Sequence, residues 1–176
     1  MASAHILPQV SVEEYERTPE LFERHEYVDG VLIEKPVPTW KHTRLQGWFS
    51  VLFWKYYSIF DAGPELHSKL REKNWRIPDF AVQKPEVSNQ EKYAVAPLLL
   101  AIEIRSPEDK WGEILTKFED YHAWGVPYCW LFDPETERAW TYHKSEDFEE
   151  VTGKGQIQAG DIQLALEEIF SRLHQS

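Results

Sequence analysis

A chain of 176 residues is long enough for one domain with a sizeable core, and 42% hydrophobic with 14% aromatic residues exclude a disordered chain. Its 19 Lys and Arg stand against 30 Asp and Glu, a formal charge of −11. Attraction of the whole molecule to a polyanion is therefore disfavoured, and any nucleic-acid contact must come from a local basic patch.

The one cysteine, Cys129, excludes an intramolecular disulfide and a Cys-based zinc cluster and fits a reducing compartment. No basic stretch followed by an apolar run opens the chain, and no apolar run reaches the roughly 18 residues of a membrane span. The expectation is a cytoplasmic protein that does not enter a membrane. Residues 1–10 read as a loose leader and 11–176 as a single domain.

In chain order, Ser11 caps a short helix, with Glu14 at capping-box spacing, and Pro19 ends it. Asp29-Gly30 between two β-favouring runs predicts a hairpin. From Thr39 to about Phe60, Leu45, Trp48, Phe49, Leu52, Tyr56 and Ile59 recur at helical steps, until Gly63-Pro64. Strands are predicted over His67–Arg71, Pro78–Gln83 and Leu98–Ile104, the last apolar enough to be buried on both faces. A helix over Trp111–Trp124 ends at Gly125. Strands Tyr128–Phe132, Arg138–Tyr142 and Phe148–Thr152 follow, then a closing helix over Leu164–Leu173. This order predicts an α/β or α+β fold, a central mixed sheet flanked by helices.

Two acids stand where strands should be apolar: Asp79 after Pro78, and Glu103 near the end of the buried strand. A carboxylate there costs several kcal/mol unless paired or metal-bound. On neighbouring strands the two can hold a hard cation, with the Ile104 carbonyl as a third oxygen ligand, a donor set suited to Mg²⁺ or Mn²⁺. The competing reading pairs Glu103 with Arg105 or Lys117. Lys117 lies four residues from both Glu113 and Tyr121, so the three share a helix face. It either reaches a phosphate and a metal-bound water or forms a solvated pair with Glu113. Lys69, Arg71 and Lys73 alternate, with Arg76 shortly after; this is either a phosphate-binding ribbon or a charged edge strand. His42, beside Lys41 and Arg44, faces the cleft or is structural. The eight tryptophans are expected mostly in the core, with Trp111 and Trp124 candidates for a subunit contact.

Pro78-Asp79 followed 24 residues later by Glu103-Ile104-Arg105 resembles the core of the PD-(D/E)XK nuclease superfamily. With Glu26-Tyr27-Val28-Asp29-Gly30, His42, Lys117, Tyr121 and the run from Gly125 to Pro134 in the same order, the chain resembles the Uma family of restriction-endonuclease-like proteins from about residue 11 to 170. The resemblance implies a metal site at the end of a mixed sheet, with Asp79 and Glu103 as ligands. Glu26 is implied as a further acid; by its residue pattern alone it reads equally as a surface strand residue. The superfamily lysine slot holds Arg105, which cannot act as a base; Lys117 fits as its replacement on the next helix. The implied activity is a metal-dependent DNA endonuclease, and a small nuclease cutting both strands implies a homodimer. The alternative is a catalytically silent binding or regulatory module on the same fold, which the acidic charge and Arg105 favour.

Overall fold

The computed structural model describes residues 10–88, 92–143, 148–152 and 155–174. The expected leader, residues 1–10, falls outside them apart from Val10. Helix α1 spans Val12–Arg17, its first turn capped by Ser11 Oγ, which accepts from the Glu14 N–H at 3.2 Å. Pro19 opens a 3-10 turn to Phe22. Strands β1 (His25–Val28) and β2 (Val31–Glu34) form the expected hairpin, and Asp29 and Gly30 both take positive φ, as a type I′ turn requires.

Helix α2 covers Trp40–Phe53, and a 3-10 turn then runs to Tyr56. The helix expected to reach Phe60 thus tightens early. Leu45, Phe49, Leu52 and Phe53 complete its buried stripe, and Ile59 is left exposed as the chain turns back to bury Phe60. Gly63-Pro64, read as a stop, lies within strand β3 (Asp61–Pro64). Strands β4 (Ser68–Arg71), β5 (Asn74–Arg76) and β6 (Phe80–Gln83) follow, then the single turn α3 (Pro85–Ser88) and β7 (Leu100–Ile104). Helix α4 matches its expected span, Trp111–Trp124, and Gly125 closes it at φ 110°. Strands β8 (Tyr128–Asp133), β9 (Arg138–Tyr142) and β10 (Phe148–Val151) come next.

The predicted closing helix is shorter than expected. Its first residues belong to a hairpin, β11 (Gln156–Ala159) and β12 (Ile162–Ala165), and helix α5 spans only Leu166–Phe170 before a 3-10 turn. The strand alternation is visible in retrospect, because Ile157, Ala159, Ile162 and Leu164 point inward and Gln158 and Gln163 outward.

A six-stranded sheet in the order β10-β9-β8-β7-β6-β3 forms the centre, and only its β7–β8 pair is parallel. The expected mixed sheet with flanking helices is therefore the observed one. Both faces are covered, which explains the apolar β7. Ile102 and Ile104 pack toward α2, α5 and the β11–β12 hairpin, while Ala101 packs toward Ile114, Phe118 and Tyr121 of α4. A second sheet, β2-β1-β5-β4, lies against α1 through Tyr15, Tyr27 and Trp75. Of the tryptophans, Trp75 and Trp130 are fully buried, whereas Trp40, Trp54 and Trp111 are exposed, so the aromatic content is not all core. Trp111 packs edge-on against Trp140 and Phe148 of its own chain.

Candidate active site

The site begins where the β6–β7 ladder stops. The last paired residues are Phe80 and Ile102, so one further step of the antiparallel register sets Asp79 beside Glu103. The Asp79 carboxylate occupies the next ladder position: its Oδ2 accepts the Ile104 backbone N–H at 2.7 Å. Alternation along β7 turns Glu103 toward α4, where the Tyr121 hydroxyl donates to its Oε1 at 2.6 Å and the Lys117 ammonium lies 3.4 Å from its Oε2. Lys117 also stands 3.1 Å from Glu26 Oε1. The helical spacing that puts Lys117 and Tyr121 on one face thus delivers both to one carboxylate. Glu113 turns to solvent and pairs with Lys110 instead.

Three acids are submerged here, with side-chain exposures of 5% for Asp79, 8% for Glu103 and 1% for Glu26. Glu26 is therefore buried within this cluster and is not a surface strand residue. Its Oε2 accepts from Arg76 at 2.8 Å and its Oε1 from the Ile77 N–H at 3.2 Å. Arg76 in turn donates to Asp120 at 2.6 Å. His42, near the start of α2, lies 3.3 Å from Asp79 Oδ2.

One cation in the cluster was not anticipated. Lys35, just past β2, has all three of its donors engaged at 2.8 Å, by Asp79 Oδ1, Glu65 Oε2 and the Ile77 carbonyl. Glu65 holds a left-handed φ of 54° and also accepts from Gln46, which donates to the Asp79 carbonyl at 2.9 Å. A strained non-glycine backbone at such a point is characteristic of a functional site. No strand or helix periodicity singles out Lys35, Gln46 or Glu65, because each acquires its role only through long-range contact.

The charges set one another. Burial raises the Glu103 carboxyl to about 7, despite the pull of Lys117. Burial also acts on Asp79 and Glu26, but Lys35 and His42 outweigh it at Asp79, and Lys117 and Arg76 outweigh it at Glu26, so both stay below the usual carboxylate range. Lys117 and Lys35 would lose their protons through burial, yet Glu103 and Glu26 for the former, and Asp79 and Glu65 for the latter, hold both firmly protonated.

The other expected residues fall elsewhere. Arg105 donates to Asp133 at 2.8 Å and lies over the Trp111 ring, so the superfamily lysine slot is occupied by a cation already engaged. Lys69 pairs with Glu16 at 2.6 Å, Arg71 with Asp120 at 3.2 Å, and Lys73 sits exposed in the β4–β5 turn. Of the four basic residues read as a phosphate ribbon, Arg76 alone reaches the acidic cluster, and it does so as a carboxylate partner.

A cavity of about 580 Å³ opens over the cluster, and five carboxylates against three Lys and Arg line it. Among the described residues no three His, Cys, Asp or Glu side chains form a ready-made ion cage. Asp79 and Glu103 both line the cavity, and one or two carboxylates are the number that a hard, strongly hydrated cation such as Mg²⁺ takes. The excess negative charge of the lining suits a divalent cation in the same way.

A family model described as "Uma2: Putative restriction endonuclease" matches residues 12–173. A crystal structure described as a putative nuclease belonging to DUF820, from Anabaena variabilis, superposes with a TM-score of 0.80 at 23% identity, covering 93% of this chain and 99% of its own. That likeness speaks to the fold. A DrdV–DNA complex matches 68% of this chain and 10% of its own at 13% identity and a TM-score of 0.38, too low to bear on either fold or function. No curated protein matches the chain. With the sheet, the acidic pair and the match over nearly the whole chain in hand, the protein belongs to the Uma2 family of restriction-endonuclease-like proteins.

Proposed function

We propose that this protein is a divalent-metal-dependent endodeoxyribonuclease that hydrolyses phosphodiester bonds at the Asp79–Glu103–Lys117 cluster. The observation that carries this reading is the Lys117 ammonium 3.4 Å from Glu103, in the cavity that Asp79 also lines. Asp79, Glu103 and the Ile104 carbonyl are the residues that would hold Mg²⁺ or Mn²⁺. When bound, such an ion would supply Lewis acidity and lower the pKa of water, so that the hydroxide form needed to attack phosphorus is available near neutral pH.

The remaining work falls to the chain. Lys117 stays protonated, so it acts as a fixed positive charge against the developing phosphoryl charge rather than as a base. Glu26 fixes the direction of that ammonium, and Tyr121 fixes Glu103 by holding its other oxygen. Lys35 and His42 hold Asp79, and the Ile104 N–H pins the carboxylate to the sheet end.

The test is cutting of labelled single-stranded and duplex DNA with Mg²⁺ or Mn²⁺, compared across wild type, Glu103→Gln and Lys117→Met. Circular dichroism confirms that each variant folds. The expected result is metal-dependent cutting of at least one DNA form, reduced about 100-fold or more in both variants. Absence of cutting with either metal, or unchanged cutting in both variants, overturns the proposal and leaves a binding module.

A further inference from the structure

Beside the catalytic cavity lies a second, of about 410 Å³, between the β1–β2 hairpin and the N-terminal half of α4. The two meet at the proposed chemistry, sharing Lys35, Pro36, Glu103, Ile104, Asp109 and Lys117. Their linings differ. The second carries an aliphatic patch, Val28 and Ile33 from the hairpin with Ile114 from α4 and Leu131 from β8, and nine charged side chains, Arg76 and Glu34 among them, form its polar edges. A flat ring with apolar faces and hydrogen-bonding edges suits such a space.

We infer that this second cavity receives an unpaired nucleobase next to the scissile phosphate, so that the substrate is an unpaired DNA strand; the inference rests on the nuclease reading above. Two further observations favour a strand over a duplex. A duplex carries its phosphates on the outside of a wide, rigid cylinder, whereas the acidic pair here lies beneath the surface, 5% and 8% exposed. The walls are also not the basic surface that dense phosphate needs: five carboxylates against four Lys and Arg line the second cavity, and Lys69 and Arg71 are engaged by Glu16 and Asp120. A single strand offers fewer phosphates and can turn one base inward, its binding coming from the base itself.

Gly112 lines the second cavity, has no heavy atom within 4 Å of a built Cβ, and is not part of the acidic cluster. Gly112→Phe from the helix side and Ile33→Trp from the hairpin side therefore reduce the space without touching the acidic cluster that would cut the diester. The experiment measures anisotropy of a labelled single-stranded oligonucleotide in Ca²⁺, and separately cutting of that strand, of its duplex, and of a small baseless phosphodiester in Mn²⁺. The expected result is tighter binding and faster cutting of the strand than of the duplex by about tenfold or more, the factor one seated base supplies. Both variants should lose that preference and still cleave the baseless diester. Equal binding and cutting of strand and duplex, or variants without effect, overturns the base site while the nuclease reading stands. Strand-selective binding that the variants abolish, with no cutting of any substrate, retains the base site and removes the nuclease. Absence of both binding and cutting overturns both.

Discussion

Lys35 and Asp79 are joined at 2.8 Å, although 44 residues separate them in the chain. The pair is buried, with side-chain exposures of 10% and 5%. Lys35 thus neutralises the acid proposed as a metal ligand, and cation and metal bid for one carboxylate. Removing the ammonium leaves Asp79 short of a partner, so Lys35→Met should destabilise the metal-free protein by about 3 kcal/mol. Added Mg²⁺ should recover part of that loss, because it binds the folded state alone. Urea denaturation of wild type and variant, with and without Mg²⁺, measures both effects.

Arg76 bridges Glu26 and Asp120 with bonds of 2.8 and 2.6 Å. Arg76→Ala would leave two acids facing each other with their shared cation gone. The expected cost is about 3–5 kcal/mol, read as a fall in denaturation midpoint. The phosphate-ribbon reading of this residue instead expects unchanged stability and weaker DNA binding.

Tyr121→Phe tests the support of Glu103 with almost no change of shape. The lost 2.6 Å bond leaves Glu103 Oε1 without that donor, at an expected cost of about 1–3 kcal/mol. Cutting should fall with KM little changed, since the hydroxyl positions a carboxylate and does not touch substrate.

Asp133 supplies a pH dependence away from the metal ligands. Burial alone would raise its carboxyl, but Arg105 and the Thr136 and Glu135 N–H groups lower it below the usual range. The folded value thus lies beneath that of the unfolded chain, about 3.9. Stability from this pair is complete above that unfolded value and is lost as pH falls through the folded one. Asp133→Asn should cost about 1–3 kcal/mol at neutral pH and flatten the acid limb of a stability–pH curve.

How much of this was legible depends on the range of the signal. Asp79 and Glu103 are conspicuous because an acid in an apolar strand demands a partner, and Lys117 with Tyr121 follows from helical spacing. The hairpin at Asp29-Gly30 and the stop at Gly125 are local as well. Lys35, Gln46 and Glu65 carry no local mark, and neither do Glu16 and Asp120, the acids that engage Lys69, Arg71 and Arg76. Alternation places Lys69 and Arg71 on a strand, as observed, while Lys73 falls in the β4–β5 turn, and which acid each cation meets is settled by packing between α1, α4 and the smaller sheet. The β11–β12 hairpin is readable from its alternation, whereas the apolar stripe of the expected closing helix reaches back to Leu164, which belongs to β12.

The central claim is that Asp79 and Glu103 converge on one cation beneath Lys117. Anomalous diffraction from crystals soaked in Mn²⁺ measures this directly. A peak within coordination distance of both carboxylates is expected, absent in crystals of Asp79→Asn. A peak elsewhere, or none at saturating Mn²⁺ with Lys35 and Lys117 still closed on their acids, would contradict it.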